Sequence, residues 1–520
     1  MASPASPSEV GWRGRTRSWR RVRVTGVRLV AVGGAAVAVV GAWIISPRFG
    51  VGGPSLIDDW FAISSTGSQL HHVLELLNPD AQRFRPGWVA WGYVQWHTLG
   101  APTSMIGPNI WALARLALCI VGLSTFALVA VRAREDVRSD RRLLALVLLP
   151  PLVFVTVPGF GVDFARFGPQ EPLQVGGMTL GGSLLYLGAR ELIASPVRLR
   201  PVLLTGTGYV LWLVGVYQKE TSLCVLVLAP FLFPPRPLVR LLRQLERRTR
   251  RLLLVLLVVT TAPLLHIAVE VVRIVHRGDL IYGAHLQRGG IGTTWQSYER
   301  AGKYLASPVV WWLLLAITIG FLLSCLRGRP QWPLVGLVLT AAVLMAWAAQ
   351  TGVAETRYYI PALALLAVGL SIALATTPRA VFTALSLAFV ILAGVTAVRA
   401  HDRVRSWADN EDQEVAFVDA VAAARATGCP VVATGLDSER AAALPVLSGL
   451  RLHRLGRCSG NTAYVVRGPE QSVDHSLLLC DESTQTTAGA WYLATGRAVL
   501  LRCPHPTDQQ TALAVRQRLR

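Results

Sequence analysis

Lysine is nearly missing from this chain. Of 51 basic residues in 520, only Lys219 and Lys303 are lysines, and every other one is arginine. Carboxylates are also scarce, 30 against those 51, which leaves a formal net charge of +21. Charged residues make up 16% of the chain, against about 25% in a soluble domain, and mean hydropathy is +0.45. This shortage of charge excludes an ordinary soluble enzyme and a disordered chain. The seven cysteines include no C-x-x-C pair, so zinc is the weaker reading of them, and at this length a disulfide-framed miniprotein is excluded. No G-x-x-x-x-G-K-[ST] loop occurs, which argues against nucleotide hydrolysis. So positive a soluble protein would suggest a nucleic acid partner. Here the arginines punctuate apolar blocks instead, and no nucleic acid is expected.

Those apolar blocks run for roughly 17–25 residues, the length that crosses a bilayer. The first is Val30 to Ile45, after a basic tail with Arg13, Arg15, Arg17, Arg20, Arg21, Arg23 and Arg28. It is read as an uncleaved first span, with the tail inside the cell. Further spans are expected near 109–131, 143–160, 172–192, 201–217, 221–234, 252–275, 308–325, 332–350, 359–376 and 380–398, about eleven in all. Pro150-Pro151 should kink or shorten the third of these helices. With the N-terminus inside, the inner connections are 132–142, 193–200, 235–251, 326–331 and the turn at Arg379, and these hold most of the loop arginines. The fold class expected is mainly α, a multi-pass transmembrane helical bundle with N-terminus in and C-terminus out.

Composition then divides the chain. Residues 1–26 form the basic cytoplasmic tail, 27–400 the transmembrane domain with an outer loop at 47–108, and 401–520 a small extracytoplasmic α/β domain. In the last part a helix is expected at 411–427, another at 437–447, and strands at 431–434, 462–467, 475–480 and 497–502. Cys429, Cys458, Cys480 and Cys503 all fall in it, enough for two disulfides on an oxidising side of the membrane, with three pairings open. Cys119, Cys224 and Cys325 lie in expected spans and read as small apolar residues.

Chemistry concentrates in the outer connections. The loop 47–108 holds Leu56-Ile57-Asp58-Asp59-Trp60, two adjacent carboxylates at the membrane surface, where a carboxylate is costly to place. One could serve as general base to a hydroxyl, and the other could orient it or help hold a divalent cation. A solvated pair or a helix N-cap is the alternative. Phe61, Ile63, Leu70, Val73, Leu74 and Leu77 then suit a helix lying in the interface. Arg83-Phe84-Arg85-Pro86 and Trp88, Trp91, Tyr93 and Trp96 follow at headgroup level. Arginine's planar fork of donors suits a phosphate.

Four motifs together resemble the GT-C membrane glycosyltransferases, over roughly residues 27–400. They are Asp58-Asp59-Trp60 after the first span, Arg83-Phe84-Arg85-Pro86, Lys219-Glu220 at an outer hairpin, and Arg357-Tyr358-Tyr359-Ile360-Pro361 entering a late span. Their order and sidedness are similar to those of actinobacterial arabinofuranosyl- and mannosyltransferases. The resemblance implies a hexosyl- or pentosyltransferase acting on the outer face of the cytoplasmic membrane. The donor would be a polyprenyl-phosphate sugar, and the acceptor a hydroxyl of a cell-envelope glycan, glycolipid or protein, with inversion at the anomeric carbon. On that reading Asp58 and Asp59 are catalytic and together could hold a divalent cation (Mg, Mn or Ca). Arg83, Arg85, Lys219 and Arg357 meet the donor phosphate, and Trp60, Glu171, Glu220 and Tyr358 face sugar or acceptor. No nucleotide is expected.

Several residues admit two readings. Asp163, Arg166, Gln170 and Glu171 form either a sugar-binding turn or a solvated one. Lys219 and Glu220 could be a phosphate site or an ion pair capping a hairpin, although a chain that otherwise uses arginine keeps lysine there. Arg357, Tyr358 and Tyr359 could anchor a span end. His71, His72 and His97 could ligate metal or supply interface polarity. His266 and Glu270 lie one helical turn apart and could line a cavity or bond to each other. The glycine- and aromatic-rich loop 276–307 could close over an acceptor. Two other functions stay open: a transporter or flippase of a lipid-linked glycan, and a non-catalytic subunit of envelope assembly. No internal repeat supports the transporter.

Overall fold

A computed structural model of the chain describes residues 31–51, 85–97, 106–132, 140–157, 159–166, 171–194, 199–232, 247–276, 307–328, 331–350, 356–428, 431–434, 464–467, 490–494 and 497–501, with a few single positions between 295 and 457. Helix α1 is Ala31–Gly50, with its last turn, Ser46–Gly50, wound as a 3-10 helix. There follow α2 (Pro86–His97), α3 (Ile106–Arg132), α4 (Asp140–Thr156), α5 (Phe160–Ala165), α6 (Glu171–Ala194) and α7 (Leu199–Val216). A 3-10 turn, Glu220–Cys224, leads into α8 (Val225–Leu232), α9 (Arg247–His276), α10 (Pro308–Leu326) and α11 (Trp332–Gln350). A second 3-10 turn, Thr356–Tyr359, precedes α12 (Ile360–Ala375) and α13 (Arg379–Ala426).

Among the described residues seven helices, α1, α3, α7, α9, α10, α12 and α13, are long and apolar enough to cross a membrane, and α4 and α11 are shorter apolar helices. The chain is a helical membrane protein. Its centre is α12, whose sequence IPALALLAVGLSIALA is apolar on every side and is buried at every residue except Leu365. A helix without a polar face must be enclosed by others, and α12 packs against α10, α11 and α4.

Several expected elements differ. Of the span expected at 221–234, the described part is a 3-10 turn followed by a helix over Val225–Leu232. Helix α4 runs through Pro150-Pro151 to Thr156, and the chain breaks afterwards, at Gly159 with φ 100°. The helix expected at 411–427 is the end of α13, which has 48 residues and no interruption at 400. At about 72 Å, α13 is more than twice as long as a bilayer core is thick. Its stem packs back on the bundle. His401 stacks on Trp43 at 4.5 Å between centroids, and Trp407 lies 5.7 Å from the Arg48 guanidinium carbon.

Gly428, with φ +74°, ends α13 in the left-handed conformation that suits a residue without Cβ. Four strands follow: β1 (Val431–Thr434), β2 (Tyr464–Arg467), β3 (Ala490–Ala494) and β4 (Arg497–Leu501), in the order β2-β1-β3-β4. β1 runs parallel to β2 with Val431 opposite Tyr464, and antiparallel to β3 with Val431 opposite Leu493. β3 and β4 are antiparallel. The interface helix expected at 61–77 and the strand at 475–480 lie outside the described residues.

Candidate functional site

Helices α6 and α7 form an antiparallel hairpin whose contact is built from small residues. A Cβ on Gly177 would lie 2.8 Å from the Gly215 Cα, one on Gly181 2.5 Å from the Trp212 backbone nitrogen, and one on Gly208 2.7 Å from the Leu185 nitrogen. Backbones approach this closely only where side chains are missing, the pattern by which membrane helices associate. The hairpin brings the first residue of α6, Glu171, beside the residues that follow α7, Gln218-Lys219-Glu220. Lys219 donates from Nζ to Glu171 Oε1, and both side chains are buried.

Helix α2 docks on the same segment. The Gly87 nitrogen donates to the Tyr217 carbonyl at 3.0 Å, and a Cβ at Gly87 would lie 2.8 Å from the Tyr217 carbonyl carbon. That close approach carries Arg85, the residue before α2, to Glu220. Its Nε donates to both carboxylate oxygens at 2.9 and 3.1 Å, with the arginine side chain buried. The 3-10 turn before α12 completes the cluster. Lys219 Nζ sits 3.8 Å from the Tyr358 ring centre, and the Arg357 guanidinium carbon sits 5.2 Å from it on the same ring. Gln174, one turn along α6 from Glu171, donates to Thr221 Oγ1 at 3.0 Å and Ser222 Oγ at 2.8 Å, fixing the turn that carries Glu220.

Arg85, Lys219, Arg357, Glu171, Glu220 and Tyr358, separated by up to 273 positions in the chain, are therefore neighbours. In this cluster of described residues three cations, Arg85, Lys219 and Arg357, lie with two carboxylates, Glu171 and Glu220. Burial works against the charge on Glu171, which lies ahead of the span expected at 172–192. The positive charges of Lys219 and Arg357 outweigh that, with the Lys219 hydrogen bond, and hold its carboxyl below the usual carboxylate range. Of the two alternatives offered for Lys219-Glu220, the ion pair takes an altered form: each residue is ion-paired, but to a distant partner rather than to its neighbour.

Asp58, Asp59, Trp60 and Arg83, and Cys429, Cys458, Cys480 and Cys503, lie outside the described residues, as do His71 and His72. Among the described residues no three His, Cys, Asp or Glu side chains gather to hold a metal ion. His266 and Glu270 bond to other partners: His266 Nδ1 meets the Tyr217 hydroxyl at 3.1 Å, and Glu270 accepts from Arg273 at 2.7 Å.

Sequence reasoning overlooked two arginines. Arg48 and Arg115 are each 1% exposed. Arg115 donates to the Phe164 carbonyl at 2.9 Å and to that of Arg166, and Arg48 donates to the Ala165 carbonyl at 3.1 Å. Together they hold the C-terminal carbonyls of α5, which lead into the segment before Glu171. A lone arginine inside the apolar run 109–131 was the available signal for Arg115, since an intramembrane charge is retained only with a partner.

No protein-family model matches the chain, and no match is found among curated proteins. Among solved structures, the crystal structure of the Archaeoglobus fulgidus oligosaccharyltransferase in the apo form matches with a TM-score of 0.43 and 12% identity. The match covers 72% of this chain and 56% of that one, so the chain spans little more than half its length.

Proposed function

We propose that this protein is a membrane glycosyltransferase that moves a sugar from a polyprenyl-phosphate donor to a hydroxyl of a cell-envelope glycan. The reaction would take place on the outer face of the cytoplasmic membrane. The observation that carries the reading is the convergence of Arg85, Lys219 and Arg357 with Glu171, Glu220 and Tyr358 at one end of the bundle. Buried cations of this kind are costly in a membrane protein without a task. In the proposed reaction the acceptor oxygen attacks the anomeric carbon as the bond from that carbon to the phosphate oxygen breaks. Asp58 takes the acceptor proton, with Asp59 beside it, and the polyprenyl phosphate leaves with the bonding electrons. The cations meet the charge that develops on that phosphate, a contribution of several kcal/mol where the donors are already in place. Glu171, Glu220, Tyr358 and Trp60 then have sugar and acceptor hydroxyls to bind. Asp58 and Asp59 would hold a divalent cation, which would supply further positive charge to the departing phosphate. Arg83 would join Arg85 there.

The test is transfer in reconstituted membranes, with a panel of polyprenyl-phosphate sugars and an envelope glycan extract as acceptor. The wild type should form a glycosidic bond from one donor, and Asp58→Asn should slow it by about 10²–10⁴-fold, the range for a lost general base. Translocation of the lipid-linked sugar with no new bond would make the protein a flippase instead.

A further inference from the structure

The end of the bundle expected to face the cytoplasm gathers charge differently from the end that carries Lys219. Arg142, at the start of α4, reaches across to the turn between α12 and α13. Its Nη2 donates to the Leu374 and Thr377 carbonyls, both at 2.7 Å, and its guanidinium lies 4.9 Å from the Phe382 ring centre. Its Nε is buried and makes no hydrogen bond among the described residues. Arg327, after α10, donates to the Thr376 carbonyl of the same turn, and Gln331 donates to the Thr376 hydroxyl at 2.7 Å. Arg379 is the exposed first residue of α13, whose N-terminus has no side-chain cap. Arg327 and Arg379 both act electrostatically on Arg142, and none of the three forms an ion pair among the described residues.

The C-terminal carbonyls of α12 offset only about half a charge. The free N–H groups opening α13 favour an anion at the same point. In sequence, the inner connections expected at 132–142, 326–331 and 376–379 carry eight arginines against three carboxylates. Beside the arginines, Leu326 is 84% exposed and Trp332 60% exposed, an apolar flank of the kind that acyl chains can cover.

We infer that Arg142, Arg327, Arg379 and the first turn of α13 form a binding site for the phosphate of an anionic phospholipid headgroup in the inner leaflet. Two ligating arginines are surface residues and can be changed without opening the core. The acyl chains of the bound lipid would run along Leu326 and Trp332. Basic pockets between spans on the cytoplasmic side take such headgroups. The site lies on the face opposite the one expected for the cluster around Lys219, and it does not depend on the transferase reading.

The experiment uses the full chain in phosphatidylcholine nanodiscs containing a photoactivatable phosphatidylglycerol, with crosslinked peptides mapped by mass spectrometry. Labelling is expected at 322–332 and 376–385, competed by unlabelled phosphatidylglycerol and not by phosphatidylcholine. In Arg327→Gln/Arg379→Gln it should fall on the order of tenfold. Arg247→Gln/Arg250→Gln, which removes the same charge from another inner connection, should keep it. Equal loss in both double variants would reduce the effect to general surface charge and overturn the site. Competition by glycerol 1-phosphate at the same concentration would assign the site to a free phosphate and overturn the lipid.

Discussion

At the scale of the residue, the pair of Lys219 and Glu171 should dominate. Both are buried, so removing one charge takes a direct ion-pair partner from the other. Lys219→Met should cost about 3–5 kcal/mol in unfolding of the purified protein, and Lys219→Met/Glu171→Gln less than the sum of the single changes. A simple sum would mean the two charges do not interact. The sign of the pH dependence follows from the lowered pKa of Glu171. Its ordinary value is 4.5, and its folded value is below that. The stabilisation from ionised Glu171 is therefore complete above the ordinary value and is lost as pH falls through the lower folded one. Glu171→Gln should remove that part of the acid limb, measured by thermal unfolding between neutral and acid pH. The same pair shows what was legible. Lysine stood out by rarity in an arginine chain, but a partner 48 positions away leaves no local mark.

At the scale of the element, glycines decide where charges meet. Gly181→Leu should force α6 from α7 and draw Lys219 away from Glu171. Loss of stability of about 1–3 kcal/mol, the cost of overpacking, should accompany loss of transfer. Gly206→Ala in the same hairpin, where an added Cβ meets nothing within 4 Å, should be neutral or slightly stabilising through helix propensity. Unfolding curves of the two variants side by side check this. Gly87→Ala should likewise push Arg85 from Glu220, because the obstacle is the Tyr217 backbone and not a side chain that can turn away. Apolar periodicity located α12 and the start of α13 well. It missed the continuity of α13 because charge rises at 401 while helix propensity does not fall, and helices end at caps and breakers rather than at changes of polarity.

At the scale of the whole molecule, sidedness is the property to measure. With the eleven spans expected from the sequence the C-terminus would lie outside, and a reporter fused after Arg520 should read extracytoplasmic. A cytoplasmic signal would revise the span count, and the disulfide expectation for Cys429, Cys458, Cys480 and Cys503 with it. Sequence by itself determined that the chain lives in a membrane, because burial in lipid demands long apolar runs that any window along the chain detects. It also marked most of the charged cluster, since polar residues at span ends are conspicuous against such runs. Which cation meets which carboxylate was decided only in three dimensions. Arg85 pairs with Glu220 and Lys219 with Glu171 because glycine contacts set how closely α2, α6 and α7 approach. The clasp of Arg48 and Arg115 on α5 was decided the same way: a buried guanidinium takes whatever carbonyls packing brings to it, and packing is a property of the folded bundle and not of the neighbouring residues.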